Sequence, residues 1–123
     1  MEYEVIAHSG QSFVRPLPGG VWIAAENDAI ALVQFCAEAD TDRILLPAAC
    51  LSPDFFRLST RLAGLVLQKL ANYRVKAAVV LDTAAVQGKF YEFMLETNRG
   101  QTFRVFDDES RAAAWLLGET AEA

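Results

Sequence analysis

Histidine, cysteine and proline are scarce in this chain of 123 residues, with one, two and four copies. The single histidine, His8, ends a strand-like stretch beside Ser9. Adjacent residues of a strand point to opposite faces, so the two do not form a nucleophile and base. No His/Cys/Asp/Glu set has metal-ligand spacing, and neither a metal nor another cofactor is expected. Cys36 and Cys50 are too few for a disulfide framework. Cys36 falls on the apolar face of a helical stretch, whereas Cys50 lies in a connection and is expected to be more exposed. Basic residues number 11 against 16 acidic ones, and the net charge of −5 with no Lys/Arg cluster argues against nucleic acid as a partner. No apolar run approaches the roughly 18 residues that span a bilayer. The N-terminal stretch MEYEVIAHSG is acidic and strand-like, unlike a secretion signal, so the expectation is a cytoplasmic protein.

What is abundant is apolar surface. Hydrophobic residues make up 53%, enough for one globular domain over residues 1–118, with a frayed tail at 119–123. Tyr3–His8 alternates as a strand, Phe13–Arg15 extends after a turn, and Val21–Ala24 follows a Pro/Gly break as a third strand. A helix is predicted from about Ala29 to Ala39, capped by Asn27 or Asp28. Arg43–Leu46 and Arg74–Asp82 read as buried strands, the second as a central parallel one. Lys89–Asn98 is amphipathic, and Gly100 is placed to close it in the left-handed conformation. Gln101–Phe106 is a last strand, and Asp107 or Asp108 caps a final helix over Glu109–Leu117. The alternation implies a single-domain α/β fold, its mixed sheet mostly parallel with an N-terminal antiparallel hairpin and about four helices.

The chain is organised around Leu51–Tyr73, LSPDFFRLSTRLAGLVLQKLANY, which reads as a turn at Ser52–Pro53–Asp54 running into a long helix. Leu58, Leu62, Val66, Leu70 and Tyr73 share a face, and Leu65 and Leu67 widen it. Arg57, Arg61, Gly64, Gln68 and Asn72 form a narrow polar stripe opposite. So apolar a helix is expected to need more cover than one sheet supplies, as in a symmetric dimer. Gly64 disfavours a helix interior by about 1 kcal/mol relative to Ala, which suggests close approach of another backbone. Of Phe55 and Phe56, one is expected not to face the core. Around this stretch stands a polar cluster of Asp54, Thr60, Arg61, Gln68, Lys69, Asn72 and Arg74, with Asn98–Arg99 expected nearby. Thr83–Lys89 joins a strand to a helix where α/β folds bind ligands, but lacks phosphate-loop spacing.

The pattern Asp54–Phe55–Phe56, Leu58, Thr60–Arg61–Leu62–Ala63–Gly64, Leu67–Gln68–Lys69 and Asn72–Tyr73, continued to Asn98–Arg99–Gly100, resembles a bacterial family known as domain of unknown function 4180. The resemblance runs from about Asp28 to the last helix. Leu65 stands where members usually carry an acid, and Asp82–Thr83 where they carry Gly-Asp, so no role of that acid transfers. The resemblance implies an architecture similar to STAS or anti-sigma-factor-antagonist domains, which bind proteins or small ligands and are sometimes phosphorylated at a helix start. Ser52 and Thr83 occupy such positions, with capping as the simpler role.

Two functions follow as expectations. The first is a non-enzymatic, STAS-like regulatory or protein-interaction module, a homodimer through the 52–73 helix with a regulatory protein partner. The second is a binder of a small anion or phospho-metabolite, or an enzyme, with a pocket at the strand C-terminal ends near Asp82, Thr83, Arg61 and Arg99.

Overall fold

The computed structural model describes residues 2–118 apart from 83, 85 and 87. Strands β1 (Tyr3–His8) and β2 (Gln11–Pro16) form a hairpin closed by Ser9 and Gly10. Both turn residues have positive φ (54° and 83°), the backbone twist that two-residue hairpins favour. Helix α1 (Asp28–Glu38) leads to β3 (Arg43–Pro47), α2 (Leu62–Asn72) to β4 (Lys76–Val80), and α3 (Gly88–Thr97) to β5 (Phe103–Phe106). Helix α4 (Glu109–Leu116) ends the fold. The sheet order is β1-β2-β3-β4-β5, parallel from β2 onward, with β1 antiparallel on the edge. The predicted α/β fold with its mixed sheet and four helices is therefore present.

Because each crossover advances one strand in the same direction, right-handed connections carry α1, α2 and α3 over one face. The period-two strand pattern serves both faces. Ile44, Leu46, Ala77, Val79, Phe103 and Val105 face the three helices, packing with Leu32, Val66, Leu70, Phe90 and Met94. Phe13, Leu45 and Ala78 face the other way, under Ala112 and Leu116 of α4. Both sheet faces are thus dry, which accounts for the unbroken apolar runs of β3 and β4.

Helix ends follow local rules. Asp108 caps α4 by accepting the Ser110 N–H at 2.7 Å. Asn27 occupies the α1 cap position without a side-chain bond. Asp28 instead reaches back to accept the N–H groups of Ala24 and Ala25 at 2.8 and 2.9 Å. At the end of α2, Arg74 donates its N–H to Ala71 and Val75 donates to Leu70, a paired closure that turns Arg74 to φ 60°. The end of α1 repeats the arrangement with Asp40 at φ 58°.

Four expectations are corrected. The long helix does not follow directly from the Ser52–Pro53–Asp54 turn: Pro53–Phe56 and Leu58–Thr60 are 3-10 turns, and α2 starts only at Leu62. Val21–Ala24 is no strand; Ile23 makes an isolated parallel bridge to Leu51, because only one residue of that stretch meets a partner. Cys50 is buried, since the turn carrying it lies beneath Trp22 and Ile23, both of which donate to its carbonyl. Gly100 does not adopt the left-handed conformation, because α3 closes through ordinary turns, Arg99 donating to Glu96 and Gly100 to Thr97. The residues 119–123 assigned to a frayed tail lie outside the described ones.

Candidate functional site

The polar stripe depends on how the chain reaches α2 from β3. Pro53 pre-sets the first 3-10 turn. The Thr60 hydroxyl lies 2.7 Å from the Asp54 carbonyl and 2.8 Å from that of Arg57, so its proton can serve either, and it accepts the Leu62 N–H at 3.3 Å. One short side chain therefore satisfies backbone groups that a continuous helix would have paired. Arg61 then takes φ 65°, a conformation unfavourable for a residue with a Cβ, and α2 starts in a new direction.

Beneath these turns an aromatic ladder descends along α3. Phe55 and Phe56 meet edge to face at 5.5 Å, Phe56 meets Phe90 at 5.4 Å, and Phe90 meets Phe93 at 5.6 Å. Phe55 is fully buried and Phe56 is half-buried against the same core, so both rings fasten the turns to the domain. Phe55 offers no surface to a partner.

On α2 itself Leu62, Ala63, Val66 and Leu70 are buried, while Leu65 and Leu67 are half-buried. The apolar surplus expected of this helix is largely absorbed by α1 and the sheet. Tyr73 was expected on the inner face, but it lies beyond the last helical turn and is 54% exposed. The outer stripe is as predicted: Arg57, Arg61, Gly64, Gln68 and Asn72 are all exposed. Asp54 is exposed too, 3.4 Å from the Arg57 guanidinium. Lys69 pairs with Glu26 at 3.8 Å, beside the stripe. Among the described residues no atom outside the backbone of α2 and the two residues flanking Gly64 lies within 4 Å of a Cβ built on Gly64, so packing against the rest of the fold does not call for glycine there.

The remaining candidates are spread over the molecule. Asp82 follows β4 at the C-terminal end of the sheet, the end where α2 begins, and its carboxylate accepts the Ala84 N–H at 3.0 Å. Thr83 lies outside the described residues. Arg99 follows α3 and so stands at the other end of the sheet from Asp82, near its own partner Glu96 at 3.9 Å. The structure therefore brings Arg61 and Asp82 to one end and leaves Arg99 at the other. Asn98 is committed to β5: its amide holds both backbone groups of Val105. Ser52 precedes a 3-10 turn without capping it, and its hydroxyl is buried with no hydrogen-bond partner. Phosphorylation there requires the turns around it to open.

One cluster was not foreseen. Lys76 Nζ sits 4.3 Å from the Trp115 ring centroid and donates to the Trp115 carbonyl at 3.2 Å. Arg43 donates to the Leu116 carbonyl, and the Arg104 guanidinium lies 5.2 Å from the same ring. Three cations thus close the C-terminal end of α4, where its carbonyls carry partial negative charge. Burial, then Arg43 and Arg104, pushes the Lys76 ammonium below its usual range. Arg43 and Lys76 begin neighbouring strands in register, a signal present in the sequence, but their target lies some 40 to 70 residues onward. Burial also pushes the Cys36 and Cys50 thiols up to about 12, which leaves them protonated and inert at neutral pH.

Among the described residues no group of three or more His, Cys, Asp or Glu is placed to hold a metal ion, and no helix is long and apolar enough to cross a membrane. No curated protein and no solved structure matches the chain. The sequence pattern of one family does, over residues 9–116, from the β1–β2 turn to the last residue of α4, a span that takes in the whole of the stripe, the turns before it and the Asn98 contact. The chain belongs to the family described as Domain of unknown function (DUF4180).

Proposed function

We propose that the protein is a regulatory module, STAS-like in the manner its sequence resembles, that works by contact with another protein through the outer face of α2. The contact residues are Arg61, Gly64, Gln68 and Asn72. The observation that carries this reading is Gly64: it weakens an exposed helix while, among the described residues, no neighbouring atom outside the helix backbone takes the space a Cβ would fill, which supports close approach of a partner as the reason for glycine. Arg61 adds weight, because a charged side chain held in the left-handed region beside that glycine is local strain at an exposed surface. Apolar burial does not support helix-on-helix dimerisation here, so self-association is considered for another surface below.

The test is site-specific photo-crosslinking in the native host, with the photoreactive residue at Gln68 and, as control, at exposed Lys89 on α3. An adduct of discrete mass at position 68 alone, abolished by Gly64→Arg, is the expected result. Equal labelling at both positions, or none at position 68, would remove the proposal.

A further inference from the structure

The two edges of the sheet are built differently. On β5, Thr102 and Phe106 turn their carbonyls inward to Ala77 and Leu81, which leaves Val105 turned outward. Asn98 fills both Val105 groups, donating Nδ2–H to the carbonyl at 3.1 Å and accepting the N–H at 2.7 Å. That edge is short and plugged by a side chain. On the opposite edge β1 runs six residues in unbroken register with β2. It contains no proline, lysine or bulge, devices that normally blunt a strand edge, and its one acidic residue, Glu4, is paired with Arg15 of β2. The Leu17 N–H donates to the Glu2 carbonyl, so the bonded pairs fall at Glu2, Glu4, Ile6 and His8. Tyr3, Val5 and Ala7 therefore aim their backbone groups away from the sheet.

From this asymmetry we infer that β1 is an interaction edge, and that its occupant is β1 of a second copy, antiparallel about a two-fold axis at Val5. The register is self-complementary. Val5 meets Val5 of the second copy, and bulky Tyr3 meets small Ala7. All three pairs use outward backbone groups and each exchanges two hydrogen bonds. Val5, 46% exposed, gains an apolar partner on the helix-bearing face. The Glu4 carboxylate lies 3.2 Å from Arg15, which also grips Glu109 of α4 at 2.7 Å, so its charge toward its symmetry mate is reduced. The product is one sheet continuous across two chains, with both α2 stripes left open.

Analytical ultracentrifugation of the full chain over a concentration series, with amide exchange at each concentration, tests the inference. The expected result is a reversible dimer in which the amides of Tyr3, Val5 and Ala7 exchange more slowly as dimer accumulates. Val5→Pro removes only an outward donor, which an edge strand tolerates, and is expected to weaken dimerisation about tenfold or more. Val5→Lys, which introduces a guarding charge, is expected to do the same. Gln68→Arg, on the α2 stripe, leaves the dimer unchanged, which keeps this result separate from the proposed function. A monomer at every concentration, a dimer unaffected by both Val5 variants in chains with native circular dichroism, or a dimer lost in Gln68→Arg would overturn it.

Discussion

The side chain of Asn98 stands in for a sixth strand against Val105, matching both backbone groups of one residue with the two ends of a single amide. Asn98→Ala leaves the part-buried backbone of Val105 without either bond. A loss of about 2 kcal/mol is expected from two net hydrogen bonds, read as a lower urea midpoint with unchanged slope. Asn98→Asp keeps the acceptor for the Val105 N–H but sets a carboxylate oxygen against the Val105 carbonyl, so it is expected to be no more stable than Asn98→Ala. Amide exchange at Val105 should quicken in both.

Gly64→Ala is predicted to stabilise the protein by about 0.5–1 kcal/mol, because the added methyl meets open space and the backbone loses less entropy on folding. Thermal denaturation checks it. A rise in melting temperature joined to loss of the Gln68 crosslink would separate a functional glycine from a structural one. A fall in stability would show that the helix needs glycine for its own sake.

Much of the fold was legible because its signals are local. The apolar runs at Arg43–Leu46 and Ala77–Leu81 announce buried parallel strands, and Asp108 before Glu109 announces a cap. The break before α2 was hidden for a physical reason. Leu58, Leu62 and Val66 keep helical spacing straight through Thr60 and Arg61, so periodicity reports a helix. The interruption is made by a hydroxyl competing for carbonyls and by a strained Arg, and neither changes the apolar pattern. Asn98 looked like a helix stop because its partner Val105 lies past the turn, and the cations on Trp115 are more distant still. The exposed stripe was readable from spacing alone; which of its neighbours converge on one end of the sheet was not, since that depends on topology.

Arg74 occupies the position at the end of α2 where glycine is usual. Arg74→Gly removes a left-handed penalty of about 1 kcal/mol, partly offset by greater freedom of the unfolded chain. A small net gain in stability is expected in urea denaturation, with α2 amides exchanging more slowly. Arg74→Val, whose branched side chain fits that conformation worse, should be destabilising.

The two thiols give the protein an alkaline dependence whose sign can be stated. Burial raises their folded pKa to about 12, above the ordinary thiol value of 9.0, so the unfolded chain loses those protons first. Stability from this source is complete below pH 9 and falls as pH rises toward 12, by at most about 1.4 kcal/mol per pH unit for each thiol. Urea denaturation between pH 8 and 10.5 should therefore show a steeper decline in wild type than in Cys36→Ala. Native protein at pH 8 should react with a thiol reagent only at the rate at which it opens. Prompt reaction of either cysteine would contradict its burial.

The Thr60 hydroxyl and the aromatic ladder together set where α2 begins. Thr60→Val keeps the shape and deletes the hydroxyl that serves the Asp54 and Arg57 carbonyls and the Leu62 N–H. A loss of about 1–2 kcal/mol is expected, since these backbone groups lose a partner at a partly exposed site. The more informative outcome concerns direction. Without that hydroxyl the leucine spacing favours extending the helix backward through Arg61, which relieves the left-handed strain but swings Phe55 and Phe56 off Phe90. Because those ring contacts hold the turns down, Thr60→Val should retain the 3-10 geometry with faster amide exchange at Leu62. Thr60→Val combined with Phe56→Ala should gain helical circular dichroism as the turns convert to helix. If the double variant shows no such gain, the break is held by Arg61 and Pro53 rather than by the Thr60 hydroxyl and the aromatic ladder.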